Sequence, residues 1–455
     1  MNFLTHHPIR TLILASGLCL LIFLITIPLP RVDNQLVGSD GVRYYVYLPS
    51  LLLDGDLDFS DEYTYFFAHE PGKAERVIED PTSRGVPPNQ WPIGPAVFWA
   101  PFFLLAHLSV LLLNLLGANL PSQGYGYVYQ AVVLSGSILY GGAGLLLAYR
   151  FARKWTTEHA ALAATVLVAF AGNLVYYMTA EPSMAHPLSV FTSGLFFYTW
   201  MRRRDRPGLK TAALYGLLGG LMALVRPQDG LLLALPFVMR VPDVWRSLRG
   251  EETSARWRGW LRDGLVAGLV ALIVFSPQMV VWGQIYGNYV RSPYTYQDYD
   301  TLFFWTRPKL GAVLFSAARG LFTWHPVFLL AVIGLAFAYR RHTRAAIFSL
   351  LAFGLQWYVI SSWHSWVQGE AFGGRMFIVC TPAFALGLAA LIEAGVKRGS
   401  WQAIGLIGGA LLVWNFLLFV EYRFELVMAQ RPVTWYDITV GRVVFLARAV
   451  RTFLQ

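Results

Sequence analysis

The sequence predicts an all-α, polytopic membrane protein with about eleven transmembrane helices and a first external loop that carries interfacial helices. Three observations lead there. Of 455 residues, 56% are hydrophobic and only 14% are charged, against roughly 25% charged in a soluble globular chain. That is too little charge to coat a surface in water, which excludes a soluble enzyme and a disordered chain. Apolar runs recur at the length of about 20 residues that a bilayer-spanning helix needs. The basic residues sit in short clusters between those runs, so the net charge of +10 reads as a topology signal and not as a nucleic-acid surface. The two cysteines, Cys19 and Cys380, both lie in apolar segments and form no disulfide framework, so stability must come from helix packing.

In chain order, the predicted spans are 11–30, 124–150, 159–178, 184–201, 209–226, 262–286, 321–340, 344–361, 376–396 and 400–421, with a shorter run at 229–241. The first is an uncleaved anchor: it is long, and Ile27-Pro28-Leu29-Pro30 offers no small-residue cleavage site. The clusters Arg150/Arg153/Lys154, Arg202 to Lys210, Arg240 to Arg262, Arg340/Arg341/Arg344 and Lys397/Arg398, with Arg10, place 20 basic and 7 acidic residues on one side, leaving 16 and 19 on the other. By the positive-inside rule the N-terminus is inside and loop 31–90 outside. Residues 92–117 are also apolar, but Pro92, Pro95 and Pro101 suggest that this stretch dips into the outer leaflet and returns, or lies along it. The expected organisation is a single transmembrane body over 1–421, with a first external loop at 31–123 and a second at 287–320, followed by a short membrane-associated tail at 422–455.

Five external segments carry the polar residues, and polar groups at membrane depth mark sites. In the first, Asp40, Arg43, Tyr44 and Tyr47 share a helical face; Asp40 either caps that helix or serves a function. The run Asp54-x-Asp56-x-Asp58 invites calcium. An EF-hand loop needs Gly and Glu where Phe59 and Tyr65 stand, so that motif is rejected, and a divalent cation, though possible, is not indicated. The second segment holds Glu181 and His186, which could orient a substrate hydroxyl or bind a phosphate. The third holds Arg226 and Asp229, which could pair locally. Arg291 and Arg319 stand in the fourth, among tyrosines. The fifth, Trp363-His364-Ser365-Trp366-Val367-Gln368-Gly369-Glu370, runs on through glycines to Arg375. It combines aromatic faces with polar donors, as a sugar pocket requires, and Arg375 at a helix start could hold a phosphate together with the amide groups there.

These features resemble the GT-C superfamily of integral membrane glycosyltransferases, whose members include the lipid A aminoarabinose transferase and the protein O-mannosyltransferases. The resemblance rests on Asp40 in the first external loop, Arg43-Tyr44 behind it and Gly55-Asp56 further on. It also rests on Trp91-Pro92-Ile93-Gly94-Pro95, on the polar turn at 179–187 and on the long loop after the seventh span. Two positions depart from it: Gly41 follows Asp40 where many relatives have an acidic residue, and the second turn offers Glu181 and His186 where some have an aspartate.

The resemblance implies an inverting transfer of a sugar from a polyprenyl-phosphate donor to an acceptor hydroxyl of a lipid, glycan or protein, at the extracytoplasmic face of the cytoplasmic (inner) membrane. In that scheme Asp40 is the general base. Arg375, Arg291, Arg319 and His364 meet the donor phosphate, and Arg43, Tyr44, Glu181, His186, Trp363, Trp366 and Glu370 contact substrate. No cofactor and no metal ligands are expected, and the partners are the lipid-linked donor, the acceptor and membrane lipids. A flippase for lipid-linked sugars and a glycan ligase are the alternatives. Charged groups lie at the two faces and no internal repeat is evident, which favours a one-sided site over a transport path.

Overall fold

A computed structural model describes residues 7–29, 35–70, 72–249, 255–295, 302–369, 371–426 and 433–454. Among these every regular element is a helix, and the only β-type pairing is a single bridge between Phe303 and Trp363. Seven helices are long and apolar enough to cross a membrane: Pro8–Ile25, Gly94–Leu115, Tyr127–Arg153, Arg256–Tyr286, Thr343–Ser362, Arg375–Val396 and Trp401–Phe424. Shorter apolar helices, Glu158–Phe170 and Leu209–Val225, stand beside them. The protein is a polytopic all-α membrane protein.

The structure departs from the expected spans at four places. The first is 92–117, which neither dips nor returns: Gly94–Leu115 is one unbroken helix of 22 residues. Pro95 sits in its first turn, where no intrahelical N–H is lost, and Pro101 is accommodated inside. One stripe (Ala96, Trp99, Phe103, Ala106, Val110) is buried while Leu104, Leu105, Leu108, Leu111 and Leu112 are exposed, the pattern of a helix with a protein side and a lipid side. The run 159–178 breaks after Phe170 and resumes at Leu174. The run 321–340 breaks at His325, which separates Leu321–Trp324 from Pro326–Arg341. The run 229–241 forms only a short 3-10 turn, Asp229–Ala234, and one turn of helix, Leu235–Val238, too short to cross by itself.

The chain divides into two compact units. One comprises residues 13–144 and 177–302. In it Gly94–Leu115 lies antiparallel to the helix beginning at Tyr127: Phe98 meets Tyr140 at 5.4 Å between ring centroids, and Phe103 meets Tyr129 at 5.2 Å. The other comprises residues 1–12, 145–176 and 303–455. Its centre is the crossing of Pro326–Arg341 with Thr381–Val396, where a Cβ on Gly334 would lie 1.9 Å from the Gly387 carbonyl oxygen and one on Gly387 would lie 2.0 Å from that of Ala331. Only glycine permits two main chains to approach so closely. In the same unit the buried amide of Asn415 donates to the carbonyls of Phe170 and Gly172, both at 2.8 Å, and accepts from His325 Nδ1 at 2.9 Å. One side chain thus caps the interruption at 171–173 and ties it to the His325 ring at the other break.

Candidate active site

In the first unit, the approach to Asp40 is fixed by a single buried side chain. Gln130 Oε1 accepts the amides of Leu36 and Val37 at 2.8 and 3.0 Å, and its Nε2 donates to Gln35 Oε1 and to the Tyr125 carbonyl. Ser39 then takes a left-handed turn, φ +54, and Asp40 stands at the N-cap of the short helix Gly41–Tyr45 without donating or accepting a side-chain capping hydrogen bond. The capping role that its position suggests is not realised.

Gly41 brings this segment against the polar turn of residues 180–185: a Cβ there would lie 2.3 Å from Ser183 Oγ and 2.5 Å from Ser183 Cβ. The absence of a side chain at 41 is what lets the Asp40 segment and the Glu181–His186 turn touch. His186 opens the next helix, with its ring edge-on to Tyr177 at 4.3 Å. Its Nδ1 faces Arg226 Nη1 at 3.2 Å. Gln228, with its amide oxygen turned inward, accepts from Arg226 Nε and Nη2 at 3.1 and 2.7 Å. Asp229 Oδ2 accepts from Ser189 Oγ at 2.5 Å. His186, Ser189, Arg226 and Asp229 are all buried. Arg226 and Asp229, which the sequence presents as a local pair, each reach the helix that His186 begins.

Arg43, expected among the substrate contacts, holds the loop that follows. Its Nη1 donates to the Pro88 carbonyl at 3.0 Å, its guanidinium lies 4.4 Å from the Tyr63 ring centroid and 5.5 Å from that of Trp91, and its own carbonyl accepts from Asn89 Nδ2 at 2.8 Å. Tyr44 is buried in the same helix. The acidic run is a self-bonded turn: Asp56 Oδ1 accepts from Ser50 Oγ and the Asp58 amide, and Asp58 Oδ1 from the Ser60 amide and hydroxyl. Beside it, Glu62 is 1% exposed, and neither carboxyl oxygen has a hydrogen-bond partner. Burial, reinforced by Asp54, Asp61 and Asp56, pushes its pKa up to about 8. Arg291 is exposed, its amide donating to Asn288 Oδ1 at 2.8 Å.

The second unit carries the other candidates. Arg319 is buried in a left-handed conformation, φ +75, and its Nε donates to the Ala371 carbonyl at 3.0 Å. On either side of residue 370, Gln368, Gly369 and Gly373 stand at positive φ, and Trp363 and His364 meet edge-on at 5.4 Å. Trp366 is half-buried, and Glu370 lies outside the described residues. The amide groups offered to a phosphate at Arg375 are already used. Its own donates to the Gly373 carbonyl at 2.9 Å, that of Met376 to Gln368 Oε1 at 3.0 Å, and that of Phe377 to the Gly374 carbonyl at 3.1 Å. This corrects the sequence reading: folding the glycine-rich turn consumes those donors, and what remains to Arg375 as an anion ligand is its guanidinium.

Sequence reasoning passed over Ser183, Ser189 and Gln130. Ser189 and Gln130 are polar residues inside apolar spans, which is the one signal that marks them.

The helical fold is similar to that of solved archaeal oligosaccharyltransferases. No protein-family model matches the chain, and no curated protein matches it in sequence. Among solved structures, the archaeal oligosaccharyltransferase AglB from Archaeoglobus fulgidus, in complex with an inhibitory peptide and a dolichol-phosphate, is similar with a TM-score of 0.50 and 12% identity over 94% of this chain and 56% of that one. The apo form of the Archaeoglobus fulgidus oligosaccharyltransferase is similar with a TM-score of 0.51 and 12% identity over 96% of this chain and 58% of that one. ArnT from Cupriavidus metallidurans, bound to undecaprenyl phosphate, has a TM-score of 0.48 and 14% identity over 95% of this chain and 72% of that one. The chain spans rather more than half the length of the oligosaccharyltransferases.

Proposed function

We propose that this protein transfers a sugar from a polyprenyl-phosphate-linked donor to an acceptor hydroxyl at the extracytoplasmic face of the cytoplasmic membrane. The fold, matched along 94% of the chain by a transferase solved with a lipid phosphate, supports the reaction class. The observation that carries the assignment within this chain is Asp40, a half-buried carboxylate delivered by a fixed segment and not used to cap its helix.

Asp40 accepts the proton of the acceptor hydroxyl as its oxygen bonds to the anomeric carbon. The bond from that carbon to the phosphate oxygen breaks, and the phosphate leaves with the electron pair. Its charge is met by the Arg375 guanidinium, with Arg319, Arg291 and His364 in support. Trp363 and Trp366 offer faces to the sugar, and Glu181 a hydrogen-bond acceptor. One displacement inverts the anomeric centre.

Asp40→Asn keeps the size of the side chain and removes its basicity. Removal of a general base predicts a rate loss of about 10²- to 10⁴-fold with donor affinity retained, measured by mass spectrometry of product formed from a panel of synthetic polyprenyl-phosphate sugars. Transfer at the wild-type rate by folded Asp40→Asn overturns the assignment.

A further inference from the structure

The helix Arg256–Tyr286 has 31 residues, a length of about 47 Å, against about 30 Å of bilayer hydrocarbon. Length alone therefore sets neither its depth nor its tilt; what holds its ends does. The end at Arg256 is held by the chain just before it. Trp260 Nε1 donates to the Phe237 carbonyl at 3.1 Å. Arg240 Nη1 meets Asp263 Oδ2 at 3.3 Å, and the buried Asp263 also takes Arg262 Nη2 on Oδ1 at 2.9 Å.

Arg240 leads directly into the eight-residue helix Val241–Leu248, which has three unlike faces. Ser247 is buried. Asp243 and Arg246 pair at 2.5 Å, both partly open to solvent. Val241, Trp245 and Leu248, spaced i, i+4, i+7, fall in one line on the side opposite that pair, and are 47, 56 and 59% exposed. A line of large apolar side chains left open marks a surface that something covers. Lipid fits it on three grounds. The helix is tied to the foot of a spanning helix whose Leu265, Leu269 and Leu272 are themselves exposed. Its central tryptophan carries the Arg249 guanidinium 5.0 Å from the ring centroid, and tryptophan beside arginine suits the headgroup level. The Asp243–Arg246 pair, on the other side, is left to water.

We infer that Val241–Leu248 is an interfacial anchor, whose apolar stripe lies at the headgroup–acyl boundary of the leaflet where Arg256–Tyr286 begins, and which sets the depth of that helix through Arg240 and Phe237. Depth there is felt further along: Gln278 Oε1 accepts the Ile93 amide at 2.7 Å, so the start of Gly94–Leu115 is tied to the same helix.

The test uses the full-length protein in vesicles of phosphatidylethanolamine and phosphatidylglycerol. Cysteines for nitroxide labelling are introduced one at a time at 241, 245 and 248, and at 243 and 246; the native Cys19 and Cys380 are buried, and the unsubstituted chain serves as the labelling control. Labels on the stripe are expected to collide more with oxygen, which concentrates in lipid, and less with a water-soluble nickel chelate; labels at 243 and 246 show the reverse. In a second arm, labels at 265, 272 and 280 report the depth of the spanning helix. The triple variant Val241→Asn, Trp245→Asn, Leu248→Asn is expected to shift that depth by about one helical turn, ~5 Å.

Nickel access on the stripe equal to that at 243 and 246 overturns the anchor. So does shielding of the stripe from both reagents, the result for a second copy or another protein seated on it. An unchanged depth at 265, 272 and 280 overturns the claim that the stripe sets it. The first arm alters only solvent-reaching side chains, one at a time, and decides even where the triple variant does not fold.

Discussion

Gly41→Ala probes the site without touching a reactive group. The new methyl would lie 2.3 Å from Ser183 Oγ and 2.5 Å from Ser183 Cβ. The neighbour is no flexible tip: a serine β-carbon moves only with its backbone, and Ser183 is 1% exposed. Restoring an ordinary contact of 3.4 Å requires an opening of about 1.1 Å between the Asp40 segment and the Glu181–His186 turn. Overpacking of this kind costs about 1–3 kcal/mol, and a displacement of about 1 Å at a reacting group costs roughly 10²-fold in rate. The expected outcome is a folded protein with a lowered unfolding temperature and a transfer rate reduced by about that factor.

Ser183→Gly removes both clashing atoms and leaves the residue 183 carbonyl oxygen, at 3.1 Å, as the nearest neighbour. The double variant should therefore recover most of the loss. The assay pairs turnover of a polyprenyl-phosphate sugar with thermal unfolding of the same preparation. An unaffected Gly41→Ala, or a double variant no better than the single one, refutes the claim that this contact sets the geometry of the site.

Three further outcomes follow from the packing. In the folded protein the Glu62 carboxyl keeps its proton up to about pH 8, whereas unfolded it ionises near pH 4.5. The native state then binds more protons across that interval, and stability falls as pH rises through it. Glu62→Gln copies the protonated form, so it should flatten this slope and raise stability at pH 8 by about 2 kcal/mol, against a ceiling near 5 kcal/mol for the full shift, read from unfolding midpoints across pH. Asn415→Leu strands two carbonyls and His325 Nδ1 and should cost about 3 kcal/mol in thermal unfolding. Gly387→Ala would drive a methyl to 2.0 Å from the Ala331 carbonyl oxygen; because no side chain can yield, the loss should be about 3 kcal/mol, measured the same way.

The membrane class was legible because lipid leaves the chain little choice: backbone groups must be satisfied within helices and apolar runs must be long. The interruptions were not legible. The break after Phe170 is capped by Asn415, about 245 positions away, and the carbonyl at the break before His325 is met by Trp414, 90 positions away; neither residue within Trp401–Glu421 gives a hint of which carbonyl it serves. The prolines of 92–117 misled because their effect depends on place: in a first turn a proline costs nothing. At the site, charge at span ends marked Arg226 and Asp229, but their neighbours lie 40 residues away in the chain. Arg43 shows the converse: its spacing with Asp40 and Tyr44 suggested one functional face, while its guanidinium holds the loop at Pro88. The helix start at Arg375 suggests amide groups open to a phosphate, whereas the turn before it uses those amides itself.

The crossing at Gly334 and Gly387 has an evolutionary reading. Main chain meets main chain there, so the register of the two helices depends on two positions that carry no side chain at all. Their lipid-facing positions can drift, exchanging one aliphatic residue for another over many generations, while these two sites tolerate far less change. Saturation mutagenesis of residues 326–341 and 381–396 should then show broad permissiveness around two points of near-complete intolerance.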